Sequence, residues 1–123
     1  MVVICKTWCR ACKALKPRFA NSRDIEQLSN QFVMINVEND EEPKTSEYKP
    51  DSGYIPRILF LDNNGNVMNE VTNESQTQWK YFYGDTTSIS ESMKKVIKRT
   101  GGGSSASDIC INKINRTIRR NNF

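Results

Sequence analysis

The chain has 123 residues, 37% of them hydrophobic, with 18 Lys plus Arg against 14 Asp plus Glu, which suits one small globular domain and leaves no room for a second core. Most of the net charge of +4 comes from Lys113, Arg116, Arg119 and Arg120 near the C-terminus; the rest is close to neutral, which argues against nucleic acid as the main partner, since such proteins carry a basic stripe over the folded surface. With no His anywhere, His-dependent triads, Cys-His proteases and His-ligated zinc are excluded, and chemistry is left to Cys, Lys and carboxylates.

Met1 to Cys5 is a continuous apolar run that reads as a buried strand. It is far shorter than the ~20 residues a membrane span needs, and no basic segment precedes it as in a signal peptide, so the chain reads as soluble and without an export signal. Because domains rarely open on a buried strand, residues before Met1 are expected. From Cys9 onward, Ala11, Cys12, Leu15 and Phe19 fall at helical spacing with Arg10, Lys13, Lys16 and Arg18 on the other faces, which predicts an amphipathic helix kinked or broken at Pro17. A shorter helix is predicted over Asp24 to Asn30, capped by Asp24, with Ile25 and Leu28 inward. Phe32 to Val37 reads as a second buried strand, and the acidic segment Glu38 to Ser52, with Pro43 and Pro50, as a loop with room for one helical turn.

Ile55 to Leu61, then Asp62-Asn63-Asn64-Gly65-Asn66, then Val67-Met68 reads as strand, tight turn, strand, since Asn and Gly tolerate the positive φ that such turns require. Trp79 to Tyr83 is an aromatic patch, either a short strand or a packed loop. Ile89, Met93, Val96 and Ile97 predict a final helix, capped by Thr87 or Ser88 and stopped at Gly101. The expected organisation is one domain over residues 1–100, then a Gly/Ser linker and a basic tail over 101–123 that is disordered or a short helix. The order of elements predicts an α/β sandwich whose first two strands are parallel.

Trp8-Cys9-Arg10-Ala11-Cys12 places a C-x-x-C at the first turn of a helix just after a buried strand. The bare spacing means little; the context carries the inference. One helical turn brings the two sulfurs close enough to form a small disulfide, and the free N–H groups and positive dipole end of the helix stabilise a thiolate on the first. Such thiols ionise at about 3.5 to 7.5 instead of about 8.5. Cys9 is therefore the expected nucleophile, with Trp8, Arg10 and Lys13 as neighbours that tune it. Cys12, on the buried side of the helix, is the expected resolving thiol, which attacks a mixed disulfide on Cys9 and releases the reduced client. Zinc would need a second C-x-x-C or a His pair, and Cys5 and Cys110 are not so spaced; no metal is expected. A disulfide closing so short a loop would stabilise little, which weighs against a purely structural role.

Trp8 to Lys13, with Pro17 at the helix-kinking position, resembles a thioredoxin-fold active site. Cys12-Lys13-Ala14-Leu15-Lys16-Pro17, Phe32-Val33-Met34, Glu41-Glu42-Pro43-Lys44 and Gly53 to Asp62 together resemble, more narrowly, the endoplasmic reticulum thioredoxin-like proteins related to the anterior gradient proteins. The similarity runs from about Val2 to Arg99. It implies a thioredoxin-like α/β fold with a central mixed sheet flanked by helices, residence in the endoplasmic reticulum lumen, and protein thiol-disulfide oxidoreductase activity with glutathione as redox co-substrate and no bound cofactor. By the same matching, Pro56 is similar to the cis-proline of this fold, and the Ile55 backbone would pair with a client peptide.

Three positions depart from that pattern. Val3 stands where many thioredoxins keep a buried acid as proton acceptor. The first strand and helix of the family would precede Met1 and are missing from this chain, which would leave a sheet edge uncovered. The chain ends Arg119-Arg120-Asn121-Asn122-Phe123 in place of an acidic retention signal.

Cys5 reads as a small buried hydrophobe, with a regulatory thiol as the alternative, and Cys110 as an unpaired thiol in the tail. Trp8 is expected to pack beside the site. Asp40, Glu41 and Glu42 lack an EF-hand pattern and read as a solvated loop. Asn73-Glu74-Ser75 and Asn115-Arg116-Thr117 are formal glycosylation sequons. Expected partners are client proteins with thiols or disulfides, and glutathione; the chain is expected to act as a monomer. The rival reading, from a different class, is a non-catalytic client-binding module that uses the Pro56 groove and the Trp79 to Tyr83 patch.

Overall fold

A computed structural model describes residues 1–100; the linker, the basic tail and Cys110 lie outside the described residues. The elements in chain order are β1 (Val2–Cys5), α1 (Arg10–Ala20), α2 (Arg23–Ser29), β2 (Ile35–Glu38), β3 (Arg57–Leu59) and α3 (Thr86–Thr100), with 3-10 turns at Asn39–Glu41 and Ser46–Tyr48. The sheet order is β2-β1-β3. β1 runs parallel to β2, as the order of elements predicted, and antiparallel to β3. The result is a mixed α/β sheet with helices packed on it.

β1 is buried at every position because both of its faces are covered. Successive side chains alternate between faces. Val2 and Ile4 join Ile35, Val37, Tyr48, Leu59 and Tyr81 on one side. Met1, Val3 and Cys5 join Cys12 and Leu15 of α1, Ile25 of α2 and Ile89, Met93 and Val96 of α3 on the other. This alternation points Cys5 at the helix that carries the C-x-x-C.

Several boundaries differ from the sequence reading, each for a local reason. α1 continues through Pro17 as one unbroken element. A proline inside a helix costs the bond to the carbonyl one turn back; that carbonyl belongs to Lys13, which is exposed, and the ladder resumes with Asn21 N–H donating to the Pro17 carbonyl at 3.1 Å. α2 is capped by Ser22, whose extended backbone lets its hydroxyl accept from Ile25 N–H at 3.3 Å, so Asp24 sits inside the first turn and complements the dipole there. α3 starts earlier than predicted because Asp85 accepts from Ser88 N–H at 2.7 Å, in place of Thr87 or Ser88 as cap.

β2 begins only at Ile35, the residue whose N–H donates to the Met1 carbonyl, and it extends to Glu38 opposite Cys5. β3 is likewise shorter than Ile55 to Leu61. Beyond it Asp62 accepts from the N–H groups of Asn64 and Asn66, Gly65 takes φ 80°, and a single bridge joins Leu61 to Val67. Tyr81 lies along β3, its carbonyl accepting from Ile58 N–H at 3.0 Å. None of the described helices is long and apolar enough to cross a membrane.

Candidate active site

The turn between β1 and α1 presents Cys9, and the end of β2 holds that turn in place. Asn39, at φ 51°, accepts from Thr7 N–H at 3.1 Å and from the Thr7 hydroxyl at 3.2 Å, while its carbonyl accepts from Lys6 Nζ at 2.8 Å. Lys6 also pairs with Glu42 at 3.0 Å. Glu42 in turn pairs with Arg57, the largest fully buried side chain, whose remaining donors go to the carbonyls of Tyr48 at 3.1 Å and Tyr54 at 2.7 Å. The acidic run expected to be a solvated loop is therefore a strut: Glu38 completes a strand and Glu42 neutralises a buried cation.

Cys9 caps α1. Its Sγ accepts from Cys12 N–H at 3.4 Å, with the Ala11 amide directed at the same sulfur. Cys9 is half-buried, Cys12 is 5% exposed and Cys5 is 3% exposed, and all three are free thiols. The expected geometry is present, with the Cys9 sulfur at the helix start facing two backbone amides. Burial pushes the Cys9 thiol above its ordinary value, against the pull of the Cys12 and Ala11 amides. Cys12 is brought down to about 6, first by a hydrogen bond from the Cys5 thiol and further by the Lys6 amide and the Cys9 thiol, against burial and the Glu38 carboxylate. Cys5 is held strongly protonated, first because it donates to Cys12 and then because it is buried. The three thiols titrate as one coupled cluster, with Cys12 drawn down and Cys5 and Cys9 pushed up. Cys9 remains the accessible sulfur, its Sγ accepting from Cys12 N–H.

Ionisation of the buried Cys12 is accordingly expected with a midpoint near 6, so thiolate absorbance should rise through that value, while alkylation of the accessible Cys9 by iodoacetamide should rise only above its ordinary value. Ultraviolet thiolate absorbance measured beside the alkylation rate checks this; a single midpoint at the ordinary value would contradict it.

Trp8 is 72% exposed, so it projects from the turn where it was expected to pack beside the site. Arg10 and Lys13 are both exposed. Lys13 lines a cleft of about 140 Å³ together with Cys5, Cys12, Lys16 and Glu38. Glu38 is the site residue that sequence reading missed: it was assigned to a loop, yet parallel pairing sets it opposite Cys5, at the cleft and 3.7 Å from Lys16. The signal lies in the strand pattern, which Glu38 continues by one residue beyond Val37. Val3 is buried in the core where related sites were said to hold an acid. The Ile55–Pro56 peptide is cis, with Pro56 buried; Ile55 and Cys9 border the same core cluster. Asn73 of the first sequon is 3% exposed and its amide nitrogen donates to the Phe82 carbonyl at 2.9 Å, so the folded domain withholds the atom that glycosylation requires. Asn115 lies outside the described residues.

A helix-capping cysteine, a second cysteine one turn on and a cis-proline between sheet and loop define a thioredoxin-like domain, and the thioredoxin-like family model matches residues 1–63. The chain belongs to that family. Among curated proteins it is similar to human anterior gradient protein 2 homolog, 34% identical over 91 residues covering 73% of this chain and 51% of that protein. It is also similar to mouse anterior gradient protein 3, 32% identical over 92 residues, covering 73% and 54% respectively. The chain spans about half the length of these relatives.

Proposed function

We propose that this domain is a protein thiol-disulfide oxidoreductase in which Cys9 attacks a client disulfide and Cys12 first accepts its proton and then resolves the intermediate. The observation that carries this reading is an accessible, helix-capping Cys9 whose Sγ accepts from Cys12 N–H at 3.4 Å, with the Cys12 thiol buried one turn on. As Cys9 Sγ bonds to one client sulfur, its proton passes to Cys12 and the other client sulfur leaves as a thiolate. Cys12 then gives that proton to the leaving thiolate, attacks Cys9, forms the Cys9–Cys12 disulfide and frees the second client thiol. Two protein thiols are oxidised and one client disulfide is reduced.

Ile55 and Pro56 dock the extended client chain beside Cys9, and Trp8, exposed on the turn, offers the client an aromatic surface. Arg10 and Lys13 supply positive potential at the mouth. Glutathione restores the dithiol as redox co-substrate, with no bound cofactor. The motifs around Cys12 to Pro17 and Gly53 to Asp62 resemble thioredoxin domain-containing protein 12, which supports work in the endoplasmic reticulum lumen on client proteins, as a monomer.

Cys12→Ser tests the assignment of roles. It should accumulate a mixed disulfide between Cys9 and an oxidised client that carries a disulfide, seen as a band that disappears on reduction. Absence of the adduct, or an adduct located at another cysteine, would reject Cys9 as the attacking group. Client binding that persists when both Cys9 and Cys12 are serine, with no turnover in the parent, would favour the non-catalytic binding reading.

A further inference from the structure

The dithiol reaction leaves Cys5 unused, yet Cys5 lies inside the same constellation. Strand alternation turns it onto the face that packs against α1, where it shares a core cluster with Cys12 and Leu15. Cys5 and Cys12 line one cleft and pack in one core cluster. Cys12 is thus flanked on two sides, by Cys9 at the helix cap and by Cys5 at the end of β1.

We propose that Cys5 is a second disulfide partner of Cys12, so that the oxidised site exchanges between a Cys9–Cys12 bond and a Cys5–Cys12 bond that sets Cys9 free. The proposal rests on the dithiol reading above. In the exchange Cys5, as a thiolate, attacks Cys12 Sγ; the Cys5–Cys12 bond forms as the Cys9–Cys12 bond breaks, and Cys9 leaves as a thiolate that takes up the proton Cys5 released. One disulfide exists before and after, so no oxidant or reductant is consumed.

In the reduced protein the neighbouring Cys12 sulfur and then burial hold Cys5 protonated. Once Cys12 is bound in a disulfide the first of these is gone, and Lys6, Lys13 and Lys16 line the cleft against the Glu38 carboxylate. The consequence is functional. With the oxidising equivalent stored in the core, an accessible Cys9 attacks a client disulfide and keeps the client bound, because Cys12 cannot resolve the adduct until a glutathione thiolate attacks Cys5, forms a Cys5–glutathione disulfide and frees Cys12 as the thiolate. Such a state favours rearrangement of client disulfides over their net reduction.

The full chain carrying Cys110→Ser, which removes the competing tail thiol, is equilibrated with glutathione disulfide beside a Cys9→Ser/Cys110→Ser variant. Each is acid-quenched, digested without reductant and mapped by mass spectrometry. The double variant should yield the peptide pair joined through Cys5 and Cys12. In oxidised Cys110→Ser protein, iodoacetamide should label Cys9 in part of the one-disulfide population, and that labelling should be lost when Cys5→Ser is added.

Free Cys5 with a glutathione-capped Cys12 in the double variant, beside a normal Cys9–Cys12 disulfide in the parent, overturns the proposal and leaves the dithiol reading intact. A parent that forms no Cys9–Cys12 disulfide at any glutathione ratio overturns the reading itself. Should the double variant not give a cooperative melt, the labelling comparison decides: no labelled Cys9 in the oxidised parent refutes the exchange.

Discussion

Cys9→Ser is expected to reduce glutathione-supported insulin reduction by roughly three orders of magnitude or more, the usual scale for loss of a covalent nucleophile, while leaving the thermal melt nearly unchanged. The two halves of this expectation come from one position. Cys9 is the N-cap of α1, with φ −79° and ψ 119°, and its Sγ accepts the Cys12 amide. Serine is among the preferred cap residues and makes the same bond with its oxygen. A hydroxyl there retains the structural function and gives up the chemistry, since it neither ionises at neutral pH nor forms a disulfide. Activity that survives the substitution would sink the assignment. A large drop in stability would mean instead that the sulfur was held by more than its cap.

The second large effect is structural. Glu42→Ala is expected to destabilise the domain by about 3 to 5 kcal/mol, the range seen when one partner of a buried ion pair is removed. Arg57 is fully buried in β3, and its two carbonyl acceptors leave its positive charge uncompensated once Glu42 is gone. Burial by itself would raise the Glu42 carboxyl, but the Arg57 and Lys6 partners outweigh it and hold the group below its ordinary value. A carboxyl depressed in the folded state contributes stability that is fully present above its unfolded value of 4.5 and is lost as pH falls through the lower folded value. Urea titrations of the parent should therefore show a loss of stability below about pH 4.5 that is absent in Glu42→Ala. A change under about 1 kcal/mol at neutral pH, within the range of exposed pairs, would show that the pair is solvated. Because Glu42 also holds Lys6, next to the turn that presents Cys9, the same variant should slow client reduction.

What the sequence determined by itself was whatever is written in short-range pattern. The apolar run Val2-Val3-Ile4-Cys5, the C-x-x-C at a helix start and the Asn and Gly positions after Asp62 are local signals, and each specifies a strand, a cap or a turn within a few residues. The core face of α3 and the parallel pairing of the first two strands followed from the same kind of evidence. Tertiary structure decided the rest, because it depends on residues that the chain separates and the fold unites. Glu38 stands opposite Cys5 only through parallel register, and Glu42 reaches Arg57 only because the loop after β2 folds back across the end of β1. The coupling of the Cys5, Cys9 and Cys12 thiols likewise follows from how β1 and α1 pack. A helix end in isolation would ionise the sulfur that caps it. Packing sets the Cys5 thiol and the Lys6 amide beside Cys12 and draws that thiol down, while burial pushes the capping Cys9 up.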